Sequence, residues 1–261
     1  MKHRAWLGLL LLVVPSFVAC KKAPVEPLRV AAAADLAHAF VELGPAFSAQ
    51  SSLPVDVRLT LGATGLLARQ LEQGAPFDLF LAANVSYVDQ VVKAGACDGS
   101  TVKSYARGRL VIWVKGTGGA ELTPAALADA RFKHIAIANP DHAPYGKAAR
   151  DALTRAGVWS SVSERMVYGE NVQQTFELAQ SGNADAAIVG LSLAIGTTQG
   201  SWAMVDEALY APIEQALVVC NRGSNAAGAR RFEDFIEAPA GRAILRKYGF
   251  LLPGETLAEA L

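Results

Sequence analysis

Eight short apolar runs, separated by segments with helical spacing, limit this chain to an α/β architecture with mostly parallel sheets. The runs are "LRVAAA" (28–33), "VDVRLT" (55–60), "FDLFLAA" (77–83), "GRLVIWV" (108–114), "HIAIAN" (134–139), "RMVYG" (165–169), "DAAIVG" (185–190) and "IEQALVVC" (213–220). Between them apolar residues recur three or four apart, as in Leu36, Phe40, Leu43 and Phe47, the mark of an amphipathic helix. Gly44-Pro45 is predicted to kink or break that first helix. "LARQLEQG", "YVDQVVKAG" and "ALTRAG" end on Gly74, Gly95 and Gly157, as helices stop when a glycine takes the left-handed position.

The chain opens with "MKHRAWLGLLLLVVPSFVAC". A basic head, an apolar stretch too short for a bilayer and small residues before Cys20 read as an export signal over residues 1–19. "FVAC" resembles a bacterial lipobox, which makes Cys20 the lipidated first residue of the exported protein; a plain secreted protein cut near Ala19 is the alternative. Residues 20–27 then form a lipid-anchored tether. Lys2 and Arg4 leave with the signal, so the remainder carries 22 Lys and Arg against 24 Asp and Glu. That balance gives no reason to expect nucleic acid, whose partners show basic patches. A hydrophobic content of 52% indicates a well-filled core. Cys97 and Cys220 can pair in an oxidising compartment or stay apart, and with no His or Cys nearby they are not a metal site.

The length after the signal suits two α/β lobes of roughly a hundred residues each. The expected division is 28–107 plus 214–261 for the first lobe and 108–213 for the second, with the chain crossing near 105–110 and 206–213.

Four segments share one design, a strand end followed by small residues and a helix start: "AAAADL" (31–36), "LGATGLLARQ" (61–70), "NPDHAPYGKAA" (139–149) and "YGENVQQ" (168–174). Ligands collect at the carboxyl ends of strands in such folds, and a helix start offers unpaired N–H groups with a positive dipole end. Singly, each segment has a plainer reading, with Asp35, Thr64 and Asn171 as N-caps and the small residues as packing. Their repetition favours a ligand site.

"LARQLEQGAPFDLFLAA" (67–83), "NPDHAPYGKAARDAL" (139–153), "GENVQQTFELAQSGNADAAIVGLSLA" (169–194) and "RAILRKYGF" (242–250) resemble the periplasmic molybdate-binding proteins of ABC importers across nearly the whole exported chain. The resemblance implies a two-lobed type II periplasmic binding protein fold that closes on molybdate or tungstate with neutral hydrogen-bond donors and no cofactor. It implies a monomer, not an enzyme, that serves an ABC permease from the periplasmic or cell-surface side of the membrane. Carried onto this sequence, the ligand-binding positions are Ala34, Asp35, Thr64, Tyr145 and the N–H of Val172, with Ala63, Gly65, Glu170 and Asn171 shaping the loops. A tyrosine that some family members use is replaced here by Gly190.

Asp35 is the largest departure, standing where the family has a donating serine or asparagine. An ionised carboxylate is acceptor-only. At about 4 Å and an effective dielectric near 20 its repulsion of a dianion is about 8 kcal/mol, enough to abolish micromolar binding. Three resolutions follow: Asp35 turns away to cap its own helix, it is protonated when ligand binds, or the ligand is another oxyanion or a small organic or phosphorylated acid. His38, His134 and His142 form no catalytic pattern, and no HExxH, GxSxG or P-loop motif occurs. An enzyme or an adhesin on the same scaffold is the remaining reading.

Overall fold

The computed structural model describes residues 26–51, 55–117 and 122–256. The export signal, Cys20 and most of the tether lie outside the described residues. The described strands are β1 (Leu28–Ala33), β2 (Val57–Gly62), β3 (Leu79–Ala82), β4 (Lys103–Gly108), β5 (Leu110–Lys115), β6 (Ile135–Ala138), β7 (Met166–Gly169), β8 (Ala186–Gly190), β9 (Gly200–Met204) and β10 (Ile213–Val219). The α-helices are α1 (Ala37–Gln50), α2 (Thr64–Glu72), α3 (Val85–Lys93), α4 (Pro144–Arg155), α5 (Trp159–Val162), α6 (Val172–Gln180), α7 (Leu191–Ala194), α8 (Ala226–Glu237) and α9 (Pro239–Lys247).

Two five-stranded sheets result, ordered β2-β1-β3-β10-β4 and β7-β6-β8-β5-β9. Each is mixed. In the first, β2, β1 and β3 pair in parallel while β10 runs against both β3 and β4. In the second, β7, β6 and β8 are parallel and β5 runs against β8 and β9. Four strands of each sheet therefore share a direction and one is reversed. The reversed strands, β5 and β10, are the first strand after each passage of the chain between sheets.

Burial explains the composition of the central strands. Along β1, Ala31 packs with Leu67, Phe80 and Val88 on one side, and Ala32 packs with Leu36, Leu81 and Phe232 on the other. With helices on both faces, every position must be apolar, and Val30 to Ala32 are fully buried. The two strands that the apolar runs did not reveal, β4 and β9, are edge strands; their "KSYARG" and "GSWAM" are mixed because an edge is partly solvated.

One local expectation is corrected. α1 continues through Pro45 instead of breaking. The bond that Pro45 cannot make is the one to Val41, a position 71% exposed, where a freed carbonyl can be hydrated. The predicted glycine stops hold: Gly74, Gly95 and Gly157 all have positive φ.

Cys97 and Cys220 face each other in a β-bridge and are joined by a disulfide spanning 123 residues of sequence. It ties the segment after α3 to the end of β10. Replacing both cysteines with serine is expected to lower stability by about 2–5 kcal/mol, since closing a long loop restricts the unfolded chain; denaturant unfolding of the exported form measures this.

Candidate functional site

The carboxyl ends of strands from both sheets meet at a narrow cleft. Its walls are Ala33 and Ala34 after β1, Gly62 to Thr64 after β2, Ala83 after β3, Ala143 to Tyr145 after β6, and Val172 after β7. The four segments singled out by their strand–small–helix pattern thus converge on one place, with a free volume of about 10 Å³ between the two sides. None of the lining residues is a lysine or arginine. In the direction of charge the site is defined by helix starts: a 3-10 turn over Ala34–Leu36 leading into α1, and the first residues of α2, α4 and α6. A helix start carries the positive end of its dipole and N–H groups without an acceptor in the helix, although some are taken up here, as by His142 at Gly65 and Asn171 at Gln174.

Each predicted residue has a definite place. Thr64 is 1% exposed and is the first residue of α2 rather than its cap, which is Ala63. Its Oγ1 accepts the N–H of Ala83 at 3.2 Å, so the hydroxyl hydrogen is left to donate. Gly65 donates its N–H to the carbonyl of His142 at 2.9 Å, joining the two sides of the cleft. The half-buried His142 does more than face solvent: its Nε2 lies 3.0 Å from the carbonyl oxygen of Glu170, bracing the two second-lobe loops together. Asn171 caps α6, its Oδ1 accepting from the N–H of Gln174 at 3.0 Å. Val172 follows as the first helical residue and is buried at the cleft.

Asp35 does not cap its helix. The capping position belongs to Ala33, which makes no side-chain cap bond. The Asp35 carboxyl is fully buried, and its Oδ2 accepts from Tyr145 Oη at 2.9 Å and from Gln215 Nε2 at 2.5 Å. Gln215 is oriented in turn by Tyr105, whose hydroxyl donates to Gln215 Oε1 at 2.6 Å. From the second lobe Ser192 donates to the backbone carbonyl of Asp35 at 2.8 Å. Asp35 Oδ1 is buried with no partner among the described residues. Burial pushes the Asp35 carboxyl up to about 6, against the opposing pull of the bonds from Gln215 and Tyr145. Burial and the nearby Asp35 charge also hold the Tyr105 and Tyr145 phenols well above their ordinary value.

Tyr145 gives its hydroxyl hydrogen to Asp35, and as the second residue of α4 its backbone N–H lies in the first turn of that helix. Two glycines make room for its ring. A Cβ on Gly108 would stand 2.0 Å from Tyr145 Oη, and one on Gly190 would stand 3.0 Å from Tyr145 Cε1. The Tyr145 ring thus occupies the space beside Gly190 that a larger residue there would need. Gln215, Tyr105 and Ser192 were not anticipated. Gln215 carried a signal, being a polar residue in an otherwise apolar strand with Glu214 pointing out and Gln215 fully buried.

Gly108→Ala is expected to lower stability by about 1–3 kcal/mol through displacement of the Tyr145 ring, read by denaturant unfolding. Asp35 has a folded-state value of about 6 against an ordinary 3.8. A raised carboxyl contributes its stability below the unfolded value and loses it as pH rises through the folded one. Relative to Asp35→Asn, the parent protein should therefore lose about 2–3 kcal/mol between pH 4 and pH 7, seen as a widening gap in Tm.

The match to a family model described as bacterial extracellular solute-binding protein spans residues 28–251. The molybdate-binding protein ModA of Rhodobacter capsulatus is 34% identical over 221 residues, covering 85% of this chain and 86% of that protein. ModA of Azotobacter vinelandii is 30% identical over 236 residues, covering 89% and 92%. The solved structure of the Azotobacter vinelandii periplasmic molybdate-binding protein superposes with a TM-score of 0.81 at 29% identity, covering 87% of this chain and 99% of that one. The chain therefore belongs to the bacterial extracellular solute-binding proteins, among relatives named for binding molybdate.

Proposed function

We propose that the protein captures molybdate or tungstate outside the cytoplasm and delivers it to an ABC permease. The observation that carries this reading is the small cleft on which four helix starts converge without a lysine or arginine. Such a site holds a desolvated oxyanion by N–H groups, dipole ends and a hydroxyl, without a cationic side chain. The donors are the Thr64 hydroxyl, the N–H of Val172, the N–H of Tyr145 and the turn at Ala34 and Asp35, with Ala63, Gly65, Glu170 and Asn171 holding the loops. Lobe 1 (28–107 plus 214–261) and lobe 2 (108–213) close on the ligand because it bridges them and has higher affinity for the closed state. The protein acts as a monomeric carrier, not an enzyme. It is tethered through a lipidated Cys20.

Fixed donors also account for selectivity. Sulfate has shorter bonds than molybdate and leaves donors of a rigid, larger cage unpaired, which costs more than a bond gained. Two departures, Asp35 and Gly190, favour a second reading in which the same cleft takes another oxyanion or a small organic or phosphorylated acid.

Calorimetric titration of the soluble form beginning after Lys22 separates the two. Submicromolar binding of molybdate or tungstate with sulfate silent is expected. Thr64→Val, which keeps the shape and removes the hydroxyl, should weaken binding about 10- to 100-fold, and Thr64→Ser should not. Silence of both metal oxyanions, with heat from phosphate or an organic phosphate, would select the second reading.

A further inference from the structure

The hydrogen bonds around Asp35 assign a proton to one of its oxygens. Oδ2 accepts from both Tyr145 and Gln215. In a neutral carboxylic acid the oxygen that accepts two donors is the carbonyl, so the hydrogen sits on the other. That other oxygen, Oδ1, is buried and without a partner among the described residues, on a residue that lines the cleft. The Gln215 amide keeps its N–H toward Asp35 because its Oε1 accepts from Tyr105 while its Nε2 also donates to Tyr145 Oη at 3.3 Å, an oxygen whose own hydrogen goes to Asp35. We infer that Asp35 meets the oxyanion as a neutral acid whose Oδ1–H donates to a ligand oxygen, so that capture draws one proton from solvent. This rests on the oxyanion reading above.

No cation is held against the carboxyl: Arg107 and Arg109, on either side of Gly108, donate to the carbonyls of Glu255 and Gly249 instead. From α4 the carboxyl meets the Tyr145 phenol, from β10 the neutral Gln215, with the Tyr105 phenol of β4 behind it, and from α7 Ser192. α1 brings His38, whose ring packs edge-on against Phe176 and whose own value is lowered by burial, which favours the uncharged ring. α6 presents Val172 and Phe176 and keeps Glu177 exposed, and on β2 Arg58 is exposed and paired with Asp56. The ring of His142 faces Glu170. An arriving anion adds like charge and so favours the protonated acid further. The residue that departs most from the family pattern thereby becomes a donor that is present only in the protonated fraction.

The test is titration of the soluble form with molybdate from pH 5.5 to 7.5, repeated at pH 7.5 in buffers of different ionisation enthalpy. With the carboxyl at about 6, the competent fraction falls so that Kd rises roughly 20- to 30-fold across that range. The buffer series should show uptake of about one proton. Asp35→Asn, which replaces the O–H by an N–H donor, should bind at pH 7.5 about as tightly as the parent at pH 5.5, with Kd varying less than about two-fold over the range. Asp35→Ser serves as a second neutral donor should the amide be poorly accommodated. A parent that binds with a flat profile and no proton uptake would overturn the inference. So would a pH slope that persists unchanged in both variants, since it would belong to a histidine. Binding by the variants with none by the parent at any pH would also overturn it while leaving the oxyanion cleft intact. If parent and variants alike ignore molybdate and tungstate, the oxyanion reading itself has failed.

Discussion

A carboxyl group with no exposure to water, placed where the two lobes touch, governs the geometry of the cleft. Asp35 is reached from its own lobe by Gln215 and from the other by Tyr145 and Ser192. Burying such a group is costly unless it is hydrogen-bonded, so the closed arrangement has to bring these partners together. The Tyr145 ring then needs the slot left by Gly108 and Gly190. Its hydroxyl hydrogen is given to Asp35.

Around that centre the site is built from neutral groups. Strands from both sheets end at the cleft and each is followed by a helix start, so partial positive charge converges from several directions without a mobile cation. Rigid donors of this kind suit a small oxyanion, because they cost no reorganisation and penalise a ligand of the wrong radius. The same neutrality makes Asp35 consequential. With no lysine or arginine to offset it, its protonation state sets the sign of the local field.

The fold delivers these ends to one point through its two reversed strands. β5 and β10 are the strands by which the chain enters each sheet, and both are almost wholly buried. Each lies next to an edge strand, β10 beside β4 and β5 beside β9, and residues after β1, β2, β6 and β7 line the cleft.

Much of this was legible in the sequence. Central strands buried on both faces are apolar throughout and stood out as runs, with the edge strands β2 and β7 making eight of the ten described strands, and "AAAADL", "LGATG", "HAPYG" and "GENV" announced the helix starts at their ends. Strands β4 and β9 did not stand out, because polar and small residues such as Lys103, Ser104, Arg107 and Ser201 interrupt their apolar pattern. Pro45 misled because its cost depends on whether the freed carbonyl reaches water, which is a property of position in the fold. Local pattern likewise offered a cap for Asp35, since an aspartate before a helix ordinarily bonds to the nearby N–H groups. Only the tertiary structure decided otherwise: Tyr145 and Gln215, 110 and 180 residues away in sequence, compete for that carboxylate, and burial at the lobe contact makes their bonds the stronger claim. Sequence determines what each segment can offer; which offers meet depends on contacts between residues far apart in the chain, and those exist only once the two lobes have formed and closed.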